Sequence, residues 1–306
     1  MRNLHSQTIN FHSTAPLPPP DYELKSRTVC SGELRYNFCI MYLPESPLYT
    51  LHSHTQFCDG HASMADFAAE AARCGFEVYG FTPHSPVPID SPCNMSMEDV
   101  PVYLAEVKRL QKLYPDVKFL AGMEVDYLGD DWGPHTPYFH SLGLDYIIGS
   151  VHFIPTQDGE MIDIDGSAER FNRNMAQHFH DDIRYVVETF FEQSLRMVRS
   201  GGFDIIGHFD KIKHNAGHYC PGVESQPWYR DGVEALIESI IDAGVIVEIN
   251  TKAWREHTQL FPAQCHWRRL LDAGVTIVVN SDAHDPRLID ASRAPVLRAL
   301  AYLRHS

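Results

Sequence analysis

The sequence predicts an α/β protein in which seven βα units follow one another around a parallel sheet. Three observations carry that expectation. Short apolar, β-branched runs alternate with longer amphipathic stretches from about residue 48 onward, the order that parallel strands joined by helices require. The runs number seven, at residues 48–53, 77–82, 117–124, 144–152, 203–208, 245–250 and 275–280. A chain of 306 residues can bury a large core yet is ordinary for one barrel-type domain, so no second domain is required.

The connections read as helices in turn. Residues 62–73 fill the first, and residues 97–113 repeat Val102, Leu104, Val107 and Leu110 at the helical period. Ser96 suits the N-cap of that second helix, with Glu98 and Asp99 in a first turn that favours negative charge. One long helix is expected over 171–199, where Phe171, Met175, Phe179, Ile183, Val186 and Phe190 recur every three or four residues. Shorter helices over 232–243, 262–273 and 294–303 complete the series. These apolar faces are read as packing surfaces without a catalytic part. Residues 1–40, Pro-rich from Pro16 to Pro20 and lacking a core pattern, are expected to be a poorly ordered extension dispensable for chemistry, ahead of a single domain over 41–306.

Composition narrows the function. Hydrophobic residues at 44% and charged residues at 21%, with Gly and Pro dispersed, exclude collagen-like, coiled-coil and wholly disordered classes. Lys plus Arg total 25 against 40 Asp plus Glu, a formal charge of −15. Such acidity disfavours a groove for long nucleic acid, which needs clustered cationic charge. A small anionic substrate would need a local positive source, and 18 histidines make bound metal ions the natural one. No apolar run approaches bilayer length and no secretion signal is evident, so cytoplasmic residence is the default expectation. The seven cysteines (Cys30, Cys39, Cys58, Cys74, Cys93, Cys220, Cys265) include no Cys-x-x-Cys pair and read as reduced thiols.

The chemistry gathers at the ends of the strand-like runs, where barrels and open α/β sheets place their active sites. The first run ends in His52-Ser53-His54, and strand alternation would point both imidazoles to one side, toward one ion. Cys58-Asp59-Gly60-His61 adds a carboxylate and an imidazole on a loop, although Asp59 would also serve an ordinary turn. The second run ends in Thr82-Pro83-His84-Ser85-Pro86 and the third in Glu124-Val125-Asp126. A Glu inside an apolar strand is costly unless paired, and bridging two cations is one way to keep its charge; Asp126 reads as a supporting or solvent residue. His152, His208 and the pair Asp282 and His284 end the fourth, fifth and seventh runs. Any one of these histidines alone is better read as structural. Six strand ends sharing the feature is not.

As an ordered series these motifs resemble the polymerase and histidinol phosphatase (PHP) superfamily, and within it the histidinol-phosphate phosphatases. The resemblance spans about residues 49–284 and implies a distorted seven-unit (βα) barrel, TIM-like, in agreement with the seven runs. It implies three divalent ions, Zn, Mn or Fe. One would take His52, His54, Glu124 and Asp282; a second would share Glu124 and add His152 and His208; the third would use Asp59, His84 and His284. His61 stands in a loop where some relatives place a histidine ligand, and Pro83 departs from the aspartate many members carry.

Three ions and three carboxylates leave a nominal charge of about +3, suited to a phosphate monoester. Hydroxide generated at the first two ions is the expected nucleophile, with Asp282 orienting it or taking its proton. Arg255, on the loop after the sixth strand, is the first expected phosphate-binding cation, with Lys211 and Lys213 after it. The expected activity is hydrolysis of L-histidinol phosphate, a small phosphate ester of histidine biosynthesis, by a protein with no membrane or long nucleic-acid partner. The alternatives are a related phosphoesterase acting on nucleotides or short oligonucleotides, and a noncatalytic metal-binding barrel.

Overall fold

The computed structural model describes residues 48–305; the extension expected over residues 1–40 lies outside them. Seven parallel strands form one sheet in chain order. They are β1 (Tyr49–Thr50), β2 (Val78–Phe81), β3 (Lys118–Asp126) and β4 (Tyr146–Ser150), then, beyond an antiparallel hairpin of β5 (Phe153–Pro155) and β6 (Met161–Asp163), β7 (Ile205–Ile206), β8 (Ile246–Asn250) and β9 (Ile277–Asn280). The sheet curls into a nearly closed barrel whose first and last strands meet through a single parallel bridge, Ser53 to Ala283. Side chains reinforce that seam: the Leu51 amide donates to Asn280 Oδ1 at 2.8 Å and the Val279 amide to Tyr49 Oη at 3.1 Å.

Ten helices connect the strands: α1 (Met64–Arg73), α2 (Val100–Leu113), α3 (Pro137–Ser141), α4 (Ala168–His178), α5 (Ile183–Ser200), α6 (Ile212–Tyr219), α7 (Pro227–Ala243), α8 (Trp254–His257), α9 (Trp267–Asp272) and α10 (Arg293–His305) among the described residues. Strand alternation sorts the core into two. Phe119, Ala121, Met123 and Val125 of β3 join the large cluster packed beneath the helices. Leu120 joins Tyr49, Leu51, Val78, Tyr146, Ile148, Ile205, Ile246 and Val278 in a smaller cluster that plugs the barrel. This inner plug ends where the inward positions turn polar, so the fold itself lifts Glu124, Glu248 and Asn280 to one end. Gly80 shows how tightly the plug is filled: a Cβ there would lie 1.9 Å from the hydroxyl of Tyr146, which donates to the Leu51 carbonyl at 2.7 Å.

Several expectations change. The long helix over 171–199 is two helices, broken at His180 and Asp181, whose φ values of 52° and 60° cannot continue a right-handed helix. Asp182 then caps α5 by accepting from the Tyr185 amide at 3.0 Å. Ser96 does not cap α2; its hydroxyl accepts from the Asp99 amide at 3.1 Å in the turn before it, and the helix starts at Val100 with a proline in its first turn. Residues 262–273 divide into a 3-10 turn at Gln264–His266 and the short α9. β1 ends at Thr50, so His52 and His54 stand beyond the strand and strand alternation does not orient them.

Candidate metal centre

At the carboxyl end of the barrel a polar floor replaces the apolar plug. Glu248 of β8 is fully buried and accepts four hydrogen bonds. His52 Nδ1 and Asn280 Nδ2 reach Oε1 at 2.6 and 2.9 Å, while the His208 amide and Asn250 Nδ2 reach Oε2 at 3.1 and 3.2 Å. Burial pushes this carboxyl up, but the His52 imidazole outweighs it and holds Glu248 below the usual carboxylate range. One acid thereby fixes the last strands to the two histidines that follow β1 and β7.

Above that floor, side chains from six strand ends converge. His52 Nε2 and His54 Nε2 lie 3.2 and 3.3 Å from Glu124 Oε2 and 3.7 and 3.1 Å from Asp282 Oδ1. The other Glu124 oxygen is 3.0 Å from His208 Nε2 and 3.5 Å from His152 Nε2, and it accepts from the Ser150 hydroxyl at 2.7 Å. On the outer side His284 Nε2 and His84 Nε2 stand 3.3 and 3.9 Å from Asp59 Oδ2. All nine residues expected as ligands are therefore brought together, in four overlapping groups: His54, Asp59, His84 and His284; His52, His54 and Asp282; His84 and His152 with Asp126; and Glu124, His152 and His208.

Local structure explains each placement. The loop after β1 folds back through Cys58 and Gly60 amides donating to the Thr55 carbonyl at 2.9 and 3.1 Å. Gly60 is required there, because a Cβ would sit 2.3 Å from the Thr55 nitrogen. Asp59 is thereby turned inward, whereas His61 is exposed and belongs to none of these groups. Asp282 adopts a φ of 49°, a left-handed conformation that Asp tolerates better than most residues. Its Oδ2 accepts from Asn250 Nδ2 at 3.0 Å, leaving Oδ1 toward His52 and His54.

The donor set fits metal ions on its own geometry. Three imidazoles donate from Nδ1, His52 to Glu248, His152 to Asp126 Oδ1 at 2.7 Å and His284 to the Asp282 carbonyl at 3.0 Å, which leaves each Nε2 facing the cluster. Asp126, itself held by Asn94 Nδ2 at 2.9 Å, is thus a buried orienting group. Asp59 Oδ1, Asp282 Oδ1 and His84 Nδ1 are buried without a hydrogen-bond partner, unusual for polar atoms unless an ion uses them. Their surroundings set the imidazoles apart. Burial pulls His52 and His152 down, yet Glu248 and Glu124 lift His52 to about 10, and Asp126 and Glu124 lift His152 to about 9. Burial lowers His84 to about 3 and, with Lys252, His284 to about 4. Burial pushes Glu124 and Asp282 up, but neighbouring imidazoles, and Lys252 beside Asp282, hold both well below the ordinary carboxylate range.

The expected phosphate-binding cations fare differently. Lys211 sits at the cluster's edge, its Nζ 2.7 Å from Asp165 Oδ2, and its charge helps lower the buried His208. Lys213 is buried instead, donating to Asp210 Oδ2 at 3.0 Å and the Leu260 carbonyl at 2.7 Å, so its ammonium is committed to internal partners and is not available to a phosphate. Arg255 is exposed on α8 and lines a surface concavity with Glu70, Arg73, Arg287 and Asp290; no contact joins it to the nine residues. Lys252, which the sequence reading passed over, has its Nζ 3.6 Å from Asp282 Oδ2 and 3.1 Å from His284 Nε2. Glu248 was also missed, though a Glu within the apolar strand Val245-Ile246-Val247-Glu248-Ile249 carries the signal that identified Glu124.

Six imidazoles and three carboxylates at one mouth of a seven-stranded parallel barrel define an α/β barrel protein with side-chain groups able to hold metal ions. The PHP domain family matches residues 50–252, and the chain belongs to that family. It is similar to a protein named probable histidinol-phosphatase from Deinococcus radiodurans, 30% identical over 250 residues that take in 77% of this chain and 85% of the relative. A Schizosaccharomyces pombe protein of the same name is 27% identical over 258 residues, 78% of this chain and 81% of the relative. Among solved structures, the histidinol phosphate phosphatase of Lactococcus lactis, complexed with Zn, L-histidinol and phosphate, superposes with a TM-score of 0.63 at 18% identity, covering 83% of this chain and 93% of that one. A candidate histidinol phosphatase from Listeria monocytogenes superposes at 0.71 and 19%, covering 81% and 99%. At such identities the structural likeness shows the shared fold. Among the described residues no helix is long and apolar enough to cross a membrane.

Proposed function

We propose that the chain is a metal-dependent phosphoric monoester hydrolase that converts L-histidinol phosphate to L-histidinol and inorganic phosphate. The observation that carries the metal-dependent chemistry is the convergence of nine ligand-type side chains in overlapping groups, with unpartnered acceptor atoms of Asp59, His84 and Asp282 inside them. His52, His54, Glu124 and Asp282 would hold one ion, Glu124, His152 and His208 a second, and Asp59, His84 and His284 a third, with Zn, Mn or Fe suited to mixed nitrogen and oxygen donors. Such ions, when bound, polarise phosphoryl oxygens and make water a competent nucleophile near neutral pH.

The chain's own groups supply the rest. Glu124 faces two donor groups with separate oxygens and so keeps them in register. Asp282 Oδ1, ionised and without a hydrogen-bond partner, is placed to orient an attacking water and accept its proton, while Asn250 keeps the other oxygen from rotating. Lys252 and Lys211 are the cations at the rim, and each offers an ammonium to phosphate oxygens. The choice of histidinol phosphate over other monoesters is supported by the named relatives. The acidic chain favours a small ester over long nucleic acid.

Chelator-stripped protein reloaded with Zn, Mn, Fe or Mg should release phosphate from L-histidinol phosphate with a higher kcat/KM than from nucleoside monophosphates or p-nitrophenyl phosphate. Efficient cleavage of another monoester with none of histidinol phosphate would remove the substrate assignment. No hydrolysis of any ester with the ions bound would favour the noncatalytic barrel.

A further inference from the structure

A second group of metal-type side chains lies away from the nine described above. His214 and His218 are four residues apart on α6, a spacing that puts both on one helical face, and His257 is the last residue of α8. One ring nitrogen from each falls within 4.8 Å of the others, and the group shares no residue with the four at the barrel mouth. The His214 ring centroid is 4.9 Å from that of His218 and 4.6 Å from that of His257, with interplanar angles of 87° and 58°. The rings meet edge to face or tilted, and one nitrogen of each approaches the other two. The group's donors are all imidazoles, and the nearest carboxylate, Glu256 Oε2, stands 3.9 Å from His257 Nε2.

We infer that His214, His218 and His257 form a separate site for a transition-metal dication of the Zn class, which would tie α6 to the segment following β8. The three nitrogens lie within 4.8 Å of one another, against about 3.5 Å for nitrogens each about 2.0–2.1 Å from a tetrahedral zinc, and the exposed rings of His218 and His257 can turn to close the difference. His214 is already oriented. Its Nδ1 donates to Gln259 Oε1 at 2.8 Å, leaving Nε2 as the lone-pair nitrogen, the arrangement that metal-ligating histidines commonly show.

The position gives the ion a consequence. α6 opens just after Lys211, and α8 follows Lys252 by a single residue, so both tethered elements carry rim cations of the main centre. Three protein ligands leave further coordination positions to water, as in exchangeable rather than closed sites. Imidazole donors alone favour Zn, Cu or Ni over Mg or Ca.

The test uses the full chain with Zn as the probe. Equilibrium dialysis followed by elemental analysis should find one fewer Zn per chain in the His218→Ala/His257→Ala double variant than in the parent, with the remaining ions retained. Gln259→Ala, which touches no metal, should weaken the same ion by about 10-fold or more by chelator competition. Cobalt substitution supplies a spectroscopic readout, since the double variant should lose one component of the visible absorption. Equal stoichiometry and equal competition curves for parent and both variants, with circular dichroism confirming folded protein, would overturn the site. None of these measurements depends on which ester the enzyme cleaves.

Discussion

At the residue scale the centre depends on acids that touch no ion. Glu248 receives four donors on two oxygens. In Glu248→Gln the amide would turn two hydrogens toward at least one of those donors, so it cannot satisfy them all. The expected result is a folded protein, weakened by about 1–3 kcal/mol in urea unfolding, whose affinity for the His52-containing ion falls by about 10-fold to 100-fold in chelator competition. Unchanged metal affinity would reduce Glu248 to a packing residue. The raised imidazoles make a second prediction, with a definite sign. His52 at about 10 and His152 at about 9 hold protons at pH 7 in the metal-free protein, whereas Glu124 and Asp282 are already ionised. Metal uptake must expel those imidazole protons, so apparent affinity should climb as pH rises from 6 toward 9, with proton release seen by calorimetry in buffers of different ionisation enthalpy. The metal-free fold behaves oppositely. Groups raised above their unfolded value of 6.5 stabilise it fully below that pH, and the contribution disappears as pH rises through 9 to 10.

At the element scale, glycine in a strand is a volume statement. Gly80→Ala would drive a methyl into the Tyr146 hydroxyl, and overpacking of this kind costs about 1–3 kcal/mol. Tyr146→Phe removes the clashing oxygen together with its bond to Leu51, so the double variant should be less destabilised than the two single costs added. Additive urea midpoints would show that the plug relaxes in some other way. Elements of this sort explain what was legible in the sequence. Seven strands could be counted because parallel strands buried on both faces are continuous apolar runs, and their polar ends exposed the nine cluster residues. The break in the long helix was hidden because Phe171 to Phe190 keep a helical period across His180 and Asp181, whose left-handed backbone leaves no trace in that periodicity. The β5–β6 hairpin, at three residues a strand, is too short for alternation to register. Glu248 stands two residues before the end of its strand just as Glu124 does, but its strand ends in Asn250, with no histidine or acid to mark it. Arg255 and Lys213 were named for their distance along the chain from a strand, and that distance did not reveal that one side chain turns outward and the other into Asp210.

At the scale of the whole molecule the centre and the closure of the barrel are one problem. The seam between β1 and β9 has a single backbone bridge, so it relies on Asn280, whose Oδ1 accepts from the Leu51 amide while its Nδ2 donates to Glu248. His52 and His54 follow β1 and Asp282 follows β9, which means that one candidate ion is held from both sides of the weakest join in the sheet. The β3–β4 pair, by contrast, is zipped over five residue pairs. Binding to the folded state alone stabilises it by about 2.7 kcal/mol when free ion is 100 times Kd, and the gain shows most at the join that opens most easily. Metal loading should therefore raise the melting temperature and slow amide hydrogen exchange at Leu51, His54 and Val279 far more than in β3 and β4, with chelation reversing both. Asn280→Leu should abolish that selective protection, since it cuts the seam's link to Glu248 even while the nine side chains remain present. Uniform slowing across all seven strands would mean that the ions stabilise the barrel only as a whole, and that its seam is no weaker than the rest.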